Sequence, residues 1–417
     1  MAGLANPFYS ANRDLIQAKL RPKDRVFRTM RFLDVDRIPV FEQEIATNVA
    51  SEILGRQAET GGGGIGWRDI AEALYSGERD SLVTRIANDL TELTLKLGLD
   101  GICPPFVGTS GPKRKLDENS YYYEDEDTET WSVAKFQPDT KEYQVVDSSS
   151  RREGLKALER MAERLADKDP EVEEESLDAM DAVVDSIGDE VAIAGASTMG
   201  IPIEATWLVA SVRRPDLVSA VLDWQVKRHN SLAELYRKHG ADFILGGGDL
   251  AGRGGPVYPL STFESVVLPR LRSIVERCHD LGLPYFFRTD GNVWPIAEQL
   301  FQSSGVDGYG EIDISAGMRI GEVRARFPRL LLWGGVDCAR TLVYGSEEDI
   351  RIEAARSILE SAPGRGYFFG SSNTIHPNVP ANNFLAMLKA AKEFGPCPID
   401  REHLRSSIVA RAGPSTL

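Results

Sequence analysis

One short segment, RTDGNVW, carries three polar side chains that can act together. Arg288, Asp290 and Asn292 alternate directly after an apolar run, so an extended chain points all three to one side. A cation beside a carboxylate can pair with it or grip a polar substrate, and the carboxyl group can also transfer a proton. The segment therefore predicts a substrate-binding or catalytic turn, although Asp or Asn at such a place is also a common helix cap.

Polar side chains follow other short apolar runs in the same way. The further residues expected to bind substrate or take part in catalysis are Glu42, Asp249, Asp313, Asp337, Asn373 and His376. In FFGSSNTIHP, small hydroxyls, an amide and His376 provide hydrogen bonding and proton transfer from a loop. A ring of carboxylates around one arginine needs a ligand, a metal ion or a charge partner, so these groups predict one shared site.

The elements that must position these residues are short apolar strands alternating with amphipathic helices. The predicted strands are RIPVFEQ (37–43), LDGICPPF (99–106), VAIAGAS (191–197), ADFILGG (241–247), LPYFFRT (283–289), VDGYGEI (306–312), RLLLWGG (329–335) and GYFFGSS (366–372). This alternation is typical of a parallel sheet covered by helices, and eight units favour a closed (β/α)8 TIM barrel over an open sheet. The strand ends then converge on one barrel mouth.

Two segments do not fit the repeat. Residues 121–144 alternate aromatic and polar residues with turn signals, which predicts a β-hairpin insertion outside the barrel. GGGGIG (61–66) lacks the ending of a phosphate-binding loop and is interpreted as a mobile surface or lid segment. We expect residues 1–417 to form a single domain with an N-terminal helical extension over residues 1–36.

Composition excludes several classes of protein. The formal charge of −15 disfavours nucleic acid and acidic membrane surfaces as partners. No apolar run approaches the roughly 20 residues that span a bilayer, and the polar start lacks a secretory core, so the cytoplasm is the expected location. The four cysteines are widely spaced without a CxxC pair, which indicates reduced thiols.

Several blocks of sequence resemble uroporphyrinogen-decarboxylase-like proteins. The blocks are RFLDVDRIPV, GGGDLAGRGGPVYP, RTDGNVWP, GVDGYGEIDISAGM, LLLWGGVDCARTL and GSSNTIHPNVPANNF, in the order of that family, from about Arg31 to Lys392. The superfamily joins porphyrinogen decarboxylases to corrinoid-linked and coenzyme-M-linked methyltransferases. The resemblance implies a TIM barrel with its active site in the loops after the strands.

The chain departs from both activities of that superfamily. The decarboxylases carry an arginine-containing block resembling MRQAGR, where this chain has PVFEQEIATN, so an octacarboxylate would meet Glu42 and Glu44. The methyltransferases bind zinc through a His-x-Cys pair and a later Cys. Those positions correspond here to Arg288, Asp290 and the stretch 371–373, so we expect no thiolate zinc site. Whether an oxygen-ligated metal binds is left open.

What remains resembles the branch that moves a methyl group from a small methylated compound to a corrinoid (cobalamin) carried by a separate protein. Such chemistry asks for an acid at the leaving heteroatom, for which Asp290 and Asp313 are candidates, and Arg288 would stabilise a developing anion or bind an anionic group. Trp207, Trp294 and Trp333 are candidates for an aromatic wall.

Two alternative functions stay open at this point, as does a homodimer. One is decarboxylation of a porphyrinogen or another carboxylic acid, and the other is a barrel that binds a ligand without turnover.

Overall fold

The computed structural model describes residues 19–362 and 364–412, and its centre is an eight-stranded parallel barrel. The strands of the chain are β1 (Phe41–Glu42), β2 (Gly101–Ile102), β3 (Arg114–Asp117), β4 (Ser120–Asp125), β5 (Thr130–Gln137), β6 (Glu142–Ser148), β7 (Ala192–Ala196), β8 (Phe243–Gly247), β9 (Ala251–Gly252), β10 (Gly255–Pro256), β11 (Tyr285–Arg288), β12 (Gly308–Ile312), β13 (Leu331–Val336) and β14 (Tyr367–Ser371). The barrel order is β1-β2-β7-β8-β11-β12-β13-β14. A parallel bridge between Val40 and Phe369 joins β14 to the chain entering β1, so the predicted closed barrel is confirmed.

Helices cover the outside of the barrel, as the alternating pattern predicts. The α-helices are Pro22–Met30, Thr47–Leu54, Gly63–Ser76, Arg79–Leu97, Ser149–Glu153, Leu155–Leu165, Asp178–Ile187, Ala205–Arg213, Pro215–Lys238, Leu260–Thr262, Leu268–Asp280, Ile320–Arg326, Thr341–Tyr344, Glu347–Ser361, Ala381–Phe394 and Arg401–Ala412. Short 3-10 or π turns are Glu174–Leu177, Phe263–Val267, Trp294–Ile296, Gln299–Ser303 and Ile314–Ala316. Of the expected N-terminal extension, residues 1–18 lie outside the described residues, and the rest contains the helix Pro22–Met30.

The insertion between β2 and β7 is larger than the predicted hairpin. Strands β3 to β6 form a four-stranded antiparallel sheet in sequence order, outside the barrel. The prediction over residues 121–144 included most of β4 to β6 but missed β3. That strand reads RKLD and is largely exposed, so it lacks the apolar alternation by which a strand is recognised from sequence.

The glycine-rich segment at 61–66 is not a lid, which corrects that prediction. Gly61 to Gly64 and Gly66 are buried, and the helix Gly63–Ser76 begins within the segment. A Cβ atom on Gly64 would lie 2.3 Å from the carbonyl oxygen of Lys141. The missing side chain there allows the helix to pack against the turn between β5 and β6, so close packing explains glycine better than mobility.

The interior of the barrel is filled with aromatic rings. Phe41 packs edge-on against Phe243 and Trp333, with ring centroids 5.6 and 5.3 Å away, and Phe286 continues the cluster to Phe368. Trp333 also donates its Nε1–H to the carbonyl oxygen of Phe41 at 3.0 Å. Such packing makes the lower barrel a solid core, so a ligand can enter only at the end where the strands finish.

The opposite end of the barrel is closed by the helix Pro22–Met30 through a buried charge network. Arg25, which is 1% exposed, pairs with Asp36 at 2.7 Å and with Asp100, and Arg37 reaches Asp100 at 2.6 Å. Asp100 also accepts the backbone N–H of Val40 at 2.8 Å. Because Asp100 stands just before β2 and Val40 just before β1, this carboxylate ties the start of the barrel to the helix below it.

Within the described part of the chain, none of the helices combines the length and the apolar character needed to cross a bilayer.

We expect Asp100→Asn to lower the free energy of unfolding by about 3 kcal/mol or more, because it leaves buried Arg25 with one charged partner fewer. Urea unfolding followed by circular dichroism measures this loss. Asp24→Asn, in the exposed Arg21–Asp24 pair, is the matched control and should change little. Equal effects of the two substitutions would contradict a structural role for the buried network.

Candidate active site

A cavity of about 380 Å³ opens at the carboxyl ends of the barrel strands. Its polar lining comes from the ends of several strands, and its apolar wall includes Trp67, Ile70, Leu90, Phe106 and the prolines at 104 and 105. Trp67 is 46% exposed and Asp249 is exposed, so the cavity is in contact with solvent at its rim. A space of this size suits a small organic molecule.

Glu42 lies in the cavity lining where β1 meets β14. The backbone N–H of Ser371 donates to Glu42 Oε1 at 2.8 Å, and Glu42 Oε2 shares a 2.6 Å hydrogen bond with the Ser371 hydroxyl, in which a protonated Glu42 is the donor. Burial raises the pKa of Glu42 to about 8, against the opposing effect of these two hydrogen bonds. The group is therefore mostly a neutral acid at pH 7.

Arg288, at the end of β11, is the one basic side chain among the residues that line the cavity, all of which the structure describes. Its Nη1 lies 3.4 Å from Gln43 Oε1 and 4.0 Å from Glu311 Oε1, both long for tight contacts. Its Nε has no hydrogen-bond partner. The guanidinium group therefore keeps donors for a ligand.

Glu311, in β12, faces the same space. The side-chain amide of Gln43 donates a hydrogen bond to Glu311 Oε1. Burial raises the pKa of Glu311 to about 7, while Arg288 and the Gln43 amide act in the opposite direction and Asp290 and Asp249 add to the rise. A carboxyl group with this pKa can take up and give away a proton near neutral pH.

The backbone at Glu311 is unusual for a strand. Its φ is +64°, in the left-handed region, and the register of β12 against β13 shifts between Tyr309 and Ile312. A non-glycine residue in that region costs about 1–3 kcal/mol, and irregularities of this kind re-aim side chains near active sites. The neighbouring Gly310 is required by packing, since a Cβ atom there would lie 2.1 Å from the Trp333 ring.

Further carboxyl groups surround Arg288 and Glu311. Burial raises the pKa of Glu44, whose carboxylate accepts the Gly63 N–H at 2.8 Å and is stabilised by Arg288. The pKa of Asp290 is raised to about 6, mainly by burial and further by the neighbouring Asp249 and Asp313. One arginine thus stands among several carboxyl groups. Some of these groups must therefore be protonated, or a ligand must compensate their negative charge.

Metal-binding side chains are sparse here. Among the described residues, no group of three or more His, Cys, Asp or Glu side chains is placed to hold a metal ion. Cys103 lines the cavity, but burial raises the pKa of its thiol to about 12, and buried Cys338 contacts the Ser372 hydroxyl instead. Since a guanidinium group cannot be a ligand, a thiolate zinc centre does not fit these residues.

Comparisons with known proteins place the chain. The family model described as uroporphyrinogen decarboxylase (URO-D) matches residues 153–394, more than half of the chain. The chain belongs to the URO-D family.

The similar proteins divide between two activities. The uroporphyrinogen decarboxylase of Alkalilimnicola ehrlichii is 28% identical over 188 residues, 44% of this chain and 48% of that protein. The one from Dichelobacter nodosus is 26% identical over 143 residues, 34% of this chain and 39% of that protein. The matches thus span less than half the length of these curated relatives. A methyltransferase from Methanosarcina mazei shares the fold, with a TM-score of 0.60 at 17% identity over 90% of this chain and 99% of that one.

Four of the residues singled out from sequence line the cavity of this URO-D family member. They are Glu42, Asp249, Arg288 and Asn373. Asp290 lies immediately behind, where its carboxylate accepts the Asn373 side-chain N–H at 3.4 Å. Asp249 and Asp313 both act electrostatically on Asp290 and raise its pKa, so the three carboxyl groups lie within interaction range of one another.

Other predicted polar residues are held by local backbone groups. Asp313 caps a 3-10 turn by accepting the Ala316 N–H at 3.1 Å, and also accepts the Gly291 N–H at 3.3 Å. Asn292 accepts the Trp294 N–H at 3.0 Å. The His376 ring donates to the Cys338 carbonyl oxygen at 3.0 Å and accepts the Asn378 N–H at 3.3 Å. Neither Asn292 nor His376 is part of the cavity lining.

Asp337 and the tryptophans also lie elsewhere, which corrects their expected contact with substrate. Asp337 lines a separate open groove of about 880 Å³ beside the helix Glu347–Ser361, and it accepts the Ala339 and Arg340 N–H groups at 2.8 and 2.9 Å. Trp333 is in the barrel interior and Trp207 is buried on its helix, because both rings fill the hydrophobic core. Trp294 donates to the Gly317 carbonyl oxygen at 3.1 Å.

Gln43, Glu44 and Glu311 follow or end predicted strands and so belong to the polar strand ends expected at the barrel mouth, but sequence reasoning gave none of them a catalytic or substrate-binding role. In EIDISAGM, Glu311 stands two positions before Asp313, so alternation puts both on one face of a regular strand. The irregularity of β12 is what brings Glu311 to the cavity. Trp67, the tryptophan that does line the wall, lies just after the glycine-rich segment.

Glu42 should make stability depend on pH. Its pKa is raised on folding, so its contribution to stability is complete below the unfolded value of about 4.5 and is lost as the pH rises to about 8. Glu42→Gln keeps a neutral partner for Ser371, whose hydroxyl can turn to the Asn373 carbonyl oxygen at 3.2 Å. We expect this variant to reduce the fall in unfolding free energy between pH 5 and 8, by at most about 1.4 kcal/mol per pH unit.

Urea unfolding across the range from pH 5 to 8 measures this fall, with exposed Glu322→Gln as the control. Identical slopes for Glu42→Gln and the parent protein would refute the neutral acid.

Proposed function

We propose that this protein transfers a methyl group from a small methylated compound to a reduced corrinoid carried by a separate protein. The observation that supports this most is the lining of the cavity, which combines one loosely held arginine with buried carboxyl groups whose pKa values are raised into the neutral range. Membership of the URO-D family and the fold shared with a methyltransferase are consistent with it.

The same lining argues against an octacarboxylate substrate. Glu42, Glu44 and Glu311 stand around Arg288, so a substrate with many carboxylates would find one cation to pair with, and each of these acids that ionises would add a like charge beside it. A close pair of like charges costs on the order of 1 kcal/mol or more even near a surface, and the cost rises with burial. A small donor with few charges avoids this repulsion.

The chain's own residues can perform the tasks that methyl transfer requires. Arg288 has a loosely held guanidinium group with which to orient the donor, and the wall of Trp67, Phe106 and the prolines gives a methyl group an apolar environment. The carboxyl cluster supplies a proton to the departing heteroatom. The corrinoid enters as the second substrate, and the exposed rim at Trp67 and Asp249 leaves the donor accessible to it.

The test is an anaerobic assay with cobalamin held in the Co(I) state as methyl acceptor. Purified protein is offered methyl ethers, methylated thiols, methylated amines and, in a separate arm, uroporphyrinogen. We expect the cobalt spectrum to change to that of methylcobalamin with at least one small donor. Arg288→Met should lower kcat/KM at least tenfold, since it removes the orienting cation.

The control for Arg288→Met is Arg152→Met, whose arginine is exposed on the insertion and should leave turnover unchanged. Loss of carboxyl groups from uroporphyrinogen without methyl transfer would favour the decarboxylase alternative. Binding of a donor without any turnover, with Co(I) cobalamin or with a corrinoid protein as acceptor, would favour a non-catalytic barrel.

A further inference from the structure

We propose that the methyl donor is a methyl ether and that Glu311 is the catalytic residue that protonates its leaving oxygen, with Gln43 as the positioning residue for that carboxyl group. This inference rests on the methyl transfer proposed above and names the substrate class and the proton donor. It follows from the contacts of Glu311 and from the needs of the bond that must break.

The leaving group decides whether an acid is needed. When a methyl–oxygen bond breaks, the electron pair stays on oxygen, and the alkoxide or phenolate must be protonated. A methylated ammonium or sulfonium group instead leaves as a neutral amine or thioether and needs no acid. A cavity with an acid in its lining therefore matches an ether best.

The contacts of Glu311 leave one oxygen available for this task. Among the residues that the structure describes, the recorded contacts of its carboxyl group, from Gln43 and from Arg288, both reach Oε1. An oxygen that accepts hydrogen bonds is the carbonyl oxygen of a protonated carboxyl group. Oε2 is then the oxygen that carries the proton, and the Gln43 amide fixes this arrangement.

The backbone supplies an independent observation. Of the described non-glycine residues with positive φ, Glu311 is the one that lies inside a barrel strand. Strain of this kind persists where the surroundings enforce it and clusters at functional sites. The distortion of β12 turns this particular carboxyl group to the cavity, where a regular strand would not.

The surroundings also poise Glu311 for proton transfer. The groups that act on it are Arg288 and Gln43, which favour its charged form, and Asp290 and Asp249, which favour its neutral form; Tyr309, Asp313, Glu42 and Cys338 lie in the same neighbourhood. The balance gives a pKa of about 7. Asp290, in contrast, is outside the cavity lining and is held by Asn373.

The proposed step balances as follows. The electron pair of Co(I) forms the bond to the methyl carbon, and cobalt becomes Co(III). The methyl–oxygen bond breaks with its pair on oxygen, and the proton moves from Glu311 to that oxygen, giving the alcohol or phenol. Glu311 is left as a carboxylate beside Arg288 and regains its proton from solvent.

Aryl methyl ethers whose phenols differ in acidity provide the test, again with Co(I) cobalamin as acceptor. We expect Glu311→Gln to lower turnover by about 10² or more for weakly acidic phenols, and by much less for strongly acidic phenols, which need little protonation. Exposed Glu322→Gln should leave both rates unchanged. A variant that merely misfolds would slow all donors by the same factor.

The pH dependence of turnover provides a second test of Glu311 as the acid. In the parent protein, turnover should fall as the pH rises through about 7, because the acid form of Glu311 is lost. Gln43→Leu should move this fall to higher pH, since it removes a hydrogen bond that favours the carboxylate. Asp290→Asn should move it to lower pH, since it removes a negative neighbour. Glu311→Gln should abolish it.

The outcomes separate this inference from the proposed function. Methyl transfer from ammonium or sulfonium donors, with none from ethers, would leave the proposed function standing and overturn the ether and its acid. An equal loss for all ethers in Glu311→Gln, or loss of the pH dependence in Asp290→Asn instead, would overturn the role of Glu311. No transfer from any donor would overturn both.

Discussion

The closure of the barrel between β14 and β1 is the constraint on which the candidate site depends. β1 pairs through only Phe41 and Glu42, and the closing contact is made by the Phe369 N–H to the Pro39 carbonyl oxygen at 2.9 Å, followed by Ser371 on Glu42. That closure sets the end of the first strand beside the last. From there, Gln43 reaches across the mouth to β11 and β12, which are distant in sequence. The same barrel fixes an aromatic core directly below, so these polar groups are confined to the upper layer.

Confinement in that layer explains the electrostatics. Carboxyl groups at a well-hydrated surface would ionise and repel a neighbour only weakly, but burial makes ionisation costly and makes charges act on one another more strongly. The pKa of Glu42 rises through burial alone, whereas those of Glu311 and Asp290 rise through burial and neighbouring acids together. The site thus holds acids of graded strength around one cation. That gradation follows from depth in the barrel and does not require a metal ion.

The sequence predicted the fold well because the barrel repeats a local pattern. Each of the eight strands is a short apolar run followed by helix signals, so their order and position could be read without knowledge of distant contacts. The β3 strand was missed because its residues are polar and exposed, and GGGGIG was misread because glycine serves close packing as well as mobility. At the site, strand ends such as Arg288 and Asp249 were predictable from barrel geometry. Asp337 and the three tryptophans were assigned to the site because nothing in their spacing distinguishes an aspartate that binds local backbone N–H groups, or a core ring, from a ligand contact.

Glu311 shows most directly what sequence alone cannot give. Its approach to the cavity depends on a left-handed φ, on a side-chain-free Gly310 that makes room for the Trp333 ring, and on an amide from the other side of the barrel. Each is a long-range packing relation without a local signature. A strained backbone, a buried acid and an arginine without full partners all reduce stability, so their presence together at one mouth indicates a site selected for chemistry at some cost to stability. The aromatic core below and the Arg25–Asp100 network at the far end supply the rigidity that holds this strained arrangement in place.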